Sequence, residues 1–155
     1  MLQARKPSIW RNRYEVSADG VAVATWEPSM WRSGGNFTLG GESYQVRSNT
    51  WGSRYTLLDA NDTTVATADR VGRKQWTVEA DGRTYHFRRT SFWGNEQELQ
   101  ADGQRVGSVK RSNSWRGDVT ADLPGLPLPV QLFVLGVVIT MWDSTAAATT
   151  TTAVS

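Results

Sequence analysis

The chain has 155 residues, enough for one domain with its own hydrophobic core. It contains no cysteine and one histidine, His86, which excludes a disulfide framework, thiolate chemistry and zinc sites with cysteine ligands. Seventeen Lys and Arg against fifteen Asp and Glu leave a net charge of only +2, which argues against bulk adhesion to nucleic acid. No carboxylate pair, nucleophile motif or phosphate-binding glycine loop stands out, so we expect no enzymatic activity, no metal and no cofactor.

The beginning of the chain, residues 1–13, is basic and has no apolar run of the length found in secretory signals. The sequence therefore predicts a cytoplasmic protein. We interpret residues 1–7 as an N-terminal extension that precedes the folded domain.

A turn signature returns about every twenty residues, each time between short runs that favour strands. Asp-Gly and Gly-Gly pairs supply the positive φ angles that two-residue hairpin turns require, and Asn-Asp is a tolerable substitute. The signature occurs at Ala18-Asp19-Gly20, Leu39-Gly40-Gly41, Ala60-Asn61-Asp62, Ala80-Asp81-Gly82 and Ala101-Asp102-Gly103. The sequence therefore predicts a series of antiparallel hairpins.

A longer repeat of about 41 residues joins the hairpins in pairs, because residues 46–52 are echoed by residues 87–94 with one insertion. Upstream, Trp10 lies 41 residues before Trp51. Three such units suit one closed sheet better than the several blades of a propeller, and closure removes the sheet edges that promote aggregation. Apolar and polar residues alternate around His86, which places this side chain on the wet face of its strand.

An almost uninterrupted apolar segment extends from Leu126 to Trp142. A helix that is apolar on every side belongs either in a membrane or in the middle of a protein. Because Pro127 and Pro129 disfavour an earlier start, about fourteen helical residues remain, or roughly 21 Å. A bilayer core needs about 30 Å, so we predict a helix buried inside the domain.

The residues that flank this helix agree with burial, because Asp143 follows it and no Lys or Arg lies beyond. Residues 130–141 are expected to be among the most buried in the chain, with strands on all sides. The Thr- and Ala-rich residues 144–155 are predicted to be a disordered tail.

Repeated hairpins followed by one fully apolar helix resemble the tubby C-terminal-like superfamily, which includes tubby domains, phospholipid scramblases and LURP-one-related proteins. The resemblance rests on residues 87–111, on residues 115–123 and on the helix, and it covers about residues 8–143. It implies a closed antiparallel barrel of about twelve strands around the helix. It also implies a non-enzymatic module that binds anionic phospholipid headgroups, such as phosphoinositides, or another phosphorylated ligand. A peripheral position at the membrane is then the alternative to a freely cytoplasmic one. The chain lacks a tubby signature, a cysteine-rich palmitoylation segment and an acidic calcium loop, so no ligand residue is carried over from these proteins.

Candidate ligand-binding residues follow from the 41-residue repeat, which spaces Lys6, Arg47 and Arg88 evenly and relates Arg70 to Arg111. Guanidinium groups bind phosphate in bidentate geometry, so several of them in one region would form an anion site. The alternative is that they are ordinary residues of the wet face. The predicted set is Arg47, Arg70, Arg88, Arg89, Lys110 and Arg111.

A protein-interaction or scaffold domain is the second hypothesis, with Trp31 between Met30 and Arg32 as its surface aromatic. These residue types are enriched at the centres of interfaces. A platform for single-stranded nucleic acid is the third hypothesis, and it requires exposed rings. Nucleic acid is not expected as a partner, and the protein is predicted to be monomeric. The repeat-equivalent tryptophans look structural and are expected to be buried: Trp10, Trp51 and Trp93.

Overall fold

The computed structural model describes residues 1–7, 13–29, 34–90, 96–111 and 118–154, with side chains described as far as residue 143. Twelve antiparallel strands form one closed barrel, in which each strand pairs with its neighbours in sequence and β1 pairs with β12. The elements are β1 (Leu2–Arg5), β2 (Tyr14–Ala18), β3 (Val21–Pro28), β4 (Gly34–Leu39), β5 (Glu42–Ser48), β6 (Tyr55–Leu58), β7 (Thr64–Asp69), β8 (Gln75–Ala80), β9 (Arg83–Arg89), β10 (Glu96–Ala101), β11 (Gln104–Arg111), β12 (Val119–Asp122) and α1 (Leu128–Val154). The predicted closed barrel with one C-terminal helix is confirmed.

The 41-residue repeat corresponds to four strands, so three repeats complete the barrel. Strands β1, β5 and β9 begin the three units and are evenly spaced around the closed sheet. Repeat-equivalent residues therefore lie a third of the circumference apart.

The connections between strands alternate between the two ends of the barrel, because every strand is antiparallel to the next. All five predicted turns lie at one end, which we call the hairpin end. In the three Asp-Gly turns both residues have the positive φ angles of type I′ geometry, for example 51° at Asp81 and 73° at Gly82. We call the opposite end the loop end, because it holds longer connections such as 49–54 and 70–74.

Helix α1 enters at the hairpin end and runs through the barrel, where residues such as Phe133 and Val137 are fully buried. Residues 130–141 are buried as predicted, except that Gln131 and Met141 are only partly so. Gly136 makes room for the large Trp26 side chain of β3, since a Cβ at Gly136 would lie 2.8 Å from the indole carbons Cη2 and Cζ3. This glycine allows a full indole to pack against the helix.

Two boundary predictions are wrong. The expected N-terminal extension over residues 1–7 contains β1, whose Leu2 and Ala4 point into the core and which closes the gap between β2 and β12. The expected disordered tail over residues 144–155 is helical as far as Val154, so α1 has 27 residues and a length of about 40 Å. Alanine has the highest helix propensity, and no Gly or Pro after Gly136 stops the helix.

The length of α1 does not make it a membrane span. Within the described ranges, no helix combines the length and apolar composition that crossing a bilayer requires.

Candidate functional site

The two ends of the barrel carry opposite charge. Six acidic residues lie in or directly beside the hairpin turns, where Arg83 and Arg105 are the basic neighbours: Asp19, Glu42, Asp59, Asp62, Asp81 and Asp102. Twelve of the fourteen basic residues in the described ranges lie in or directly beside the loop-end connections: Arg5, Lys6, Arg13, Arg47, Arg54, Arg70, Arg73, Lys74, Arg88, Arg89, Lys110 and Arg111. The net charge of +2 thus conceals a strongly polarised molecule.

On one side of the loop end, basic residues surround helix α1 where it leaves the barrel opening, which we call the mouth. Arg111 lies with its guanidinium carbon 5.5 Å from the centre of the Trp142 ring and one nitrogen 4.0 Å from the Asp143 carboxylate. Burial, assisted by Asp143, raises the pKa of Tyr14 to about 12, and Arg111 opposes this shift. Burial also raises the pKa of Asp143, against the effect of Lys6 and Arg111. These residues, which we call the mouth cluster, pack around α1 beside β1, β2 and β11 and have a structural role: Lys6, Tyr14, Arg111, Trp142 and Asp143.

Most carboxylates at the loop end are already paired. Each of five acidic residues lies within ion-pair distance of an arginine, in the pairs Arg5–Asp118, Arg13–Glu27, Arg54–Asp69, Arg105–Glu96 and Arg111–Asp143. At this end Glu15, on β2, is the described carboxylate without an ion pair. The remaining loop-end cations are therefore not neutralised by the protein itself.

The unpaired cations concentrate on the other side of the mouth, from the 49–54 loop to the end of β9. We call the following six residues the basic rim: Arg54, Arg70, Arg73, Lys74, Arg88 and Arg89. Arg54 alone among them forms an ion pair with a described carboxylate, at 3.2 Å from Asp69. Arg89 is partly buried and the other five are exposed. Among the described residues, Asp69 is the carboxylate paired with these six cations, and Glu98 lies opposite Arg88 on β10 but within ion-pair distance of Arg105.

Backbone hydrogen bonds join the parts of the rim into one surface. The Val71 N–H donates to the Ser53 carbonyl at 3.0 Å, which links the 70–74 connection to the 49–54 loop. The Arg89 N–H donates to the Lys74 carbonyl at 2.8 Å, which links the same connection to β9. Arg70 adopts a left-handed conformation with φ 59°, which allows the chain to turn there. The rim is therefore a continuous part of the fold.

The structure brings together three of the six predicted site residues and separates the other three. Arg70, Arg88 and Arg89 belong to the basic rim. Arg47, on β5, lies one strand from Arg54 but four strands from Arg88, about 19 Å along the barrel wall, and its Nε donates to Gln45. The remaining two are on β11: Lys110 is exposed between Glu96 and Thr120, and Arg111 belongs to the mouth cluster. Repeat symmetry distributes equivalent residues around the barrel instead of gathering them.

The sequence prediction does not include Arg54, Arg73 and Lys74, because it rests on positions that recur in the repeat and on their immediate neighbours. Their signal was available in the alternation of connections, since all three lie in or beside the loops opposite the Asp-Gly turns. The expected burial of Trp51 is wrong, because its side chain is 87% exposed at the tip of the 49–54 loop. Trp10, Trp31 and Trp93 lie outside the described residues, so the interaction role predicted for Trp31 stays a prediction.

His86 lies exposed on the outer wall as predicted, between Thr77 and Gln100 in the adjacent strands. Within the described part of the chain, no three His, Cys, Asp or Glu side chains come close enough to share a metal ion.

No family model matches the chain, and no curated protein matches it significantly. The likeness to the tubby C-terminal-like superfamily therefore stays a resemblance of pattern.

Proposed function

We propose that this protein is a non-enzymatic binding module that docks on anionic phospholipid headgroups through the loop end of its barrel. The observation that carries the proposal is the segregation of unpaired cations to that end, opposite an acidic hairpin end. A leaflet that contains anionic lipid is a broad array of negative charges, and a rim of separate, exposed cations matches such an array. The acidic end would be repelled, so the charge distribution also orients the barrel.

The expected strength is that of a reversible peripheral protein. Each Lys or Arg near an anionic leaflet contributes about 1 kcal/mol, so the rim contributes about 5 kcal/mol once Asp69 offsets one cation. This corresponds to dissociation constants on the order of 0.1–1 mM in lipid. Such binding falls steeply as salt shortens the Debye length.

Flotation with vesicles tests the proposal directly. At low salt we expect recovery with vesicles of phosphatidylcholine and phosphatidylserine, little recovery with phosphatidylcholine alone, and loss of binding at about 0.5 M salt. Soluble phosphoserine at the same total concentration should displace little protein if an extended surface is recognised, and should compete fully if a single headgroup site is. Equal recovery with neutral and anionic vesicles at low salt would reject the proposal.

Two variants with the same change in net charge locate the site. Arg73→Gln/Lys74→Gln removes two rim cations and should lower binding to anionic vesicles about tenfold or more. Arg83→Glu lowers the net charge by the same amount at an exposed position of the hairpin end and should leave binding within about twofold. Equal losses in both variants would mean that only net charge matters.

One substitution should strengthen binding. Asp69→Asn removes the carboxylate that pairs with Arg54, so affinity for anionic vesicles should rise about fivefold. The same assay can reveal a nucleic-acid partner. A short single-stranded oligonucleotide that displaces bound vesicles at equimolar charge would favour nucleic acid as the ligand.

A further inference from the structure

Trp51 is the one large aromatic side chain in the described ranges that is fully presented to solvent. Its exposed fraction is 87%, whereas Trp26 and Trp76 are buried to within 2%. The other large apolar residues that are exposed in the described ranges are Met1, Val21 and Val106, and all three lie toward the hairpin end. Within the described part of the loop end, Trp51 is therefore the exposed apolar group that needs an explanation.

The loop that carries Trp51 is held in place by one side chain, that of Asn49. Its Oδ1 accepts hydrogen bonds from the N–H groups of Ser53 and Arg54, at 3.0 and 3.2 Å, and its Nδ2 donates to the Ser53 Oγ. The Asn49 N–H donates to the Arg54 carbonyl at 2.9 Å and closes the loop. Gly52, with φ 69°, makes the turn directly after Trp51. The ring is thus displayed by an ordered loop, and little conformational entropy is left to lose on docking.

The same loop adjoins the basic rim. Arg54 is both its last residue and a rim member, and the Ser53 carbonyl binds the backbone of the connection that carries Arg73 and Lys74. An indole combines a large apolar surface with a polar N–H, which is why tryptophan is enriched at the boundary between lipid headgroups and acyl chains. An anionic membrane has negatively charged headgroups above an apolar layer. The rim cations match the headgroups, and the ordered indole of Trp51 matches the boundary with the apolar layer.

We propose that Trp51 is an interfacial anchor, whose indole inserts below the headgroups while the neighbouring rim cations contact them. This inference rests on the proposed function and adds the depth and orientation of docking. Trp142 and Asp143 leave the barrel against β2 and β11, whereas the rim and Trp51 occupy the β5 to β9 sector across the mouth. The barrel would therefore dock tilted, with that sector toward the bilayer and α1 leaving on the far side.

Depth-dependent quenching tests the anchor in the full chain. Vesicles of phosphatidylserine and phosphatidylcholine brominated near the top of the acyl chains should quench part of the tryptophan fluorescence of the bound protein. Trp51→Phe should remove that quenching while the variant still floats with the vesicles. Trp51→Ala should weaken binding at physiological salt about tenfold, because it removes the inserted ring.

Val21→Ala is the matched control, because Val21 is 66% exposed at the opposite end and should not change binding. The inference is overturned if bound wild-type protein shows no quenching, if quenching persists in Trp51→Phe, or if Trp51→Ala binds like the wild type. Failure of the wild type to float with anionic vesicles would instead reject the proposed function, so the two failures are distinguishable.

Discussion

The hairpin end and the loop end are built from the same twelve strands but follow different sequence rules. At the hairpin end, two-residue turns need positive φ angles, and aspartate followed by glycine satisfies them at Asp19, Asp81 and Asp102. The loop-end connections are longer and require positive φ angles at fewer of their positions, so they can carry arginine and lysine. Acidic charge at one end is thus partly a by-product of turn chemistry. The cations at the other end have no such local cause, which favours a functional origin.

The two halves of the loop end differ in turn. Around the departing helix, arginines are paired with carboxylates and stacked on Trp142, so they serve the fold. Across the mouth, five of the six rim cations have no ion pair with a described carboxylate. Since all fifteen acidic residues of the sequence lie in the described ranges, this difference reflects where the carboxylates are. Ion pairing therefore separates structural arginines from available ones better than charge alone.

The largest effect on folding stability is expected at Gly136, in the part of α1 that runs through the barrel between its two ends. Gly136→Ala should destabilise the protein by about 2 kcal/mol and Gly136→Leu by about 3 kcal/mol or more, because any Cβ meets the Trp26 indole. Helix propensity alone would predict a gain of about 1 kcal/mol for the alanine variant. Urea unfolding followed by circular dichroism measures both. Trp26→Phe should recover part of the loss in a Trp26→Phe/Gly136→Ala double variant, and strictly additive effects would show that the two residues do not share this space.

The second largest effect is a loss of folding stability at alkaline pH, which we expect to arise in the mouth cluster through Tyr14. Tyr14 has its pKa raised from 10.0 to about 12, so the folded state holds the proton more tightly than the unfolded state. This contribution is complete below about pH 10 and is lost as the pH rises toward 12, by about 3 kcal/mol in all. Tyr14→Phe should therefore show a flatter decline of unfolding free energy between pH 10 and 12. Tyr85→Phe, at a partly buried position on β9, is the control, and identical slopes for wild type and Tyr14→Phe would contradict the assignment.

Features with a local cause were predictable from the sequence, and features that depend on the closed barrel were not. The Asp-Gly turns follow from backbone conformation, and the buried helix follows from a segment that is apolar on every side. Strand β1 was missed because the alternation of Leu2 and Ala4 is too short to distinguish from an extension, and only its pairing with β12 reveals it.

The candidate site was predicted in part, through Arg70, Arg88 and Arg89. Repeat equivalence misled in two ways, because it selected residues that closure places a third of a turn apart and treated Trp51 as a core position. The net charge of +2 also gave no sign of a charged surface, since the negative hairpin end and the positive loop end nearly cancel in the sum. The alternation of connections between the two ends of an antiparallel barrel, together with the charges on those connections, predicts this polarity from the sequence alone.

The smallest effect on stability gives the sharpest comparison of the two ends. Gly82 in a hairpin turn and Gly52 in the Trp51 loop have similar φ angles, 73° and 69°, and a Cβ would meet nothing within 3.9 Å at either position. Gly82→Ala and Gly52→Ala should therefore each cost about 1 kcal/mol through backbone strain alone.

Their effects on vesicle binding should differ although their stabilities match. Gly82→Ala changes the end that faces away from the membrane and should bind anionic vesicles like the wild type. Gly52→Ala reorients the turn that presents Trp51 and should weaken binding severalfold, with reduced quenching by brominated lipid. Equal thermal shifts with unequal flotation would assign docking to the loop end independently of charge, because neither substitution alters it. Equal flotation would mean that the strained turn does not position the indole.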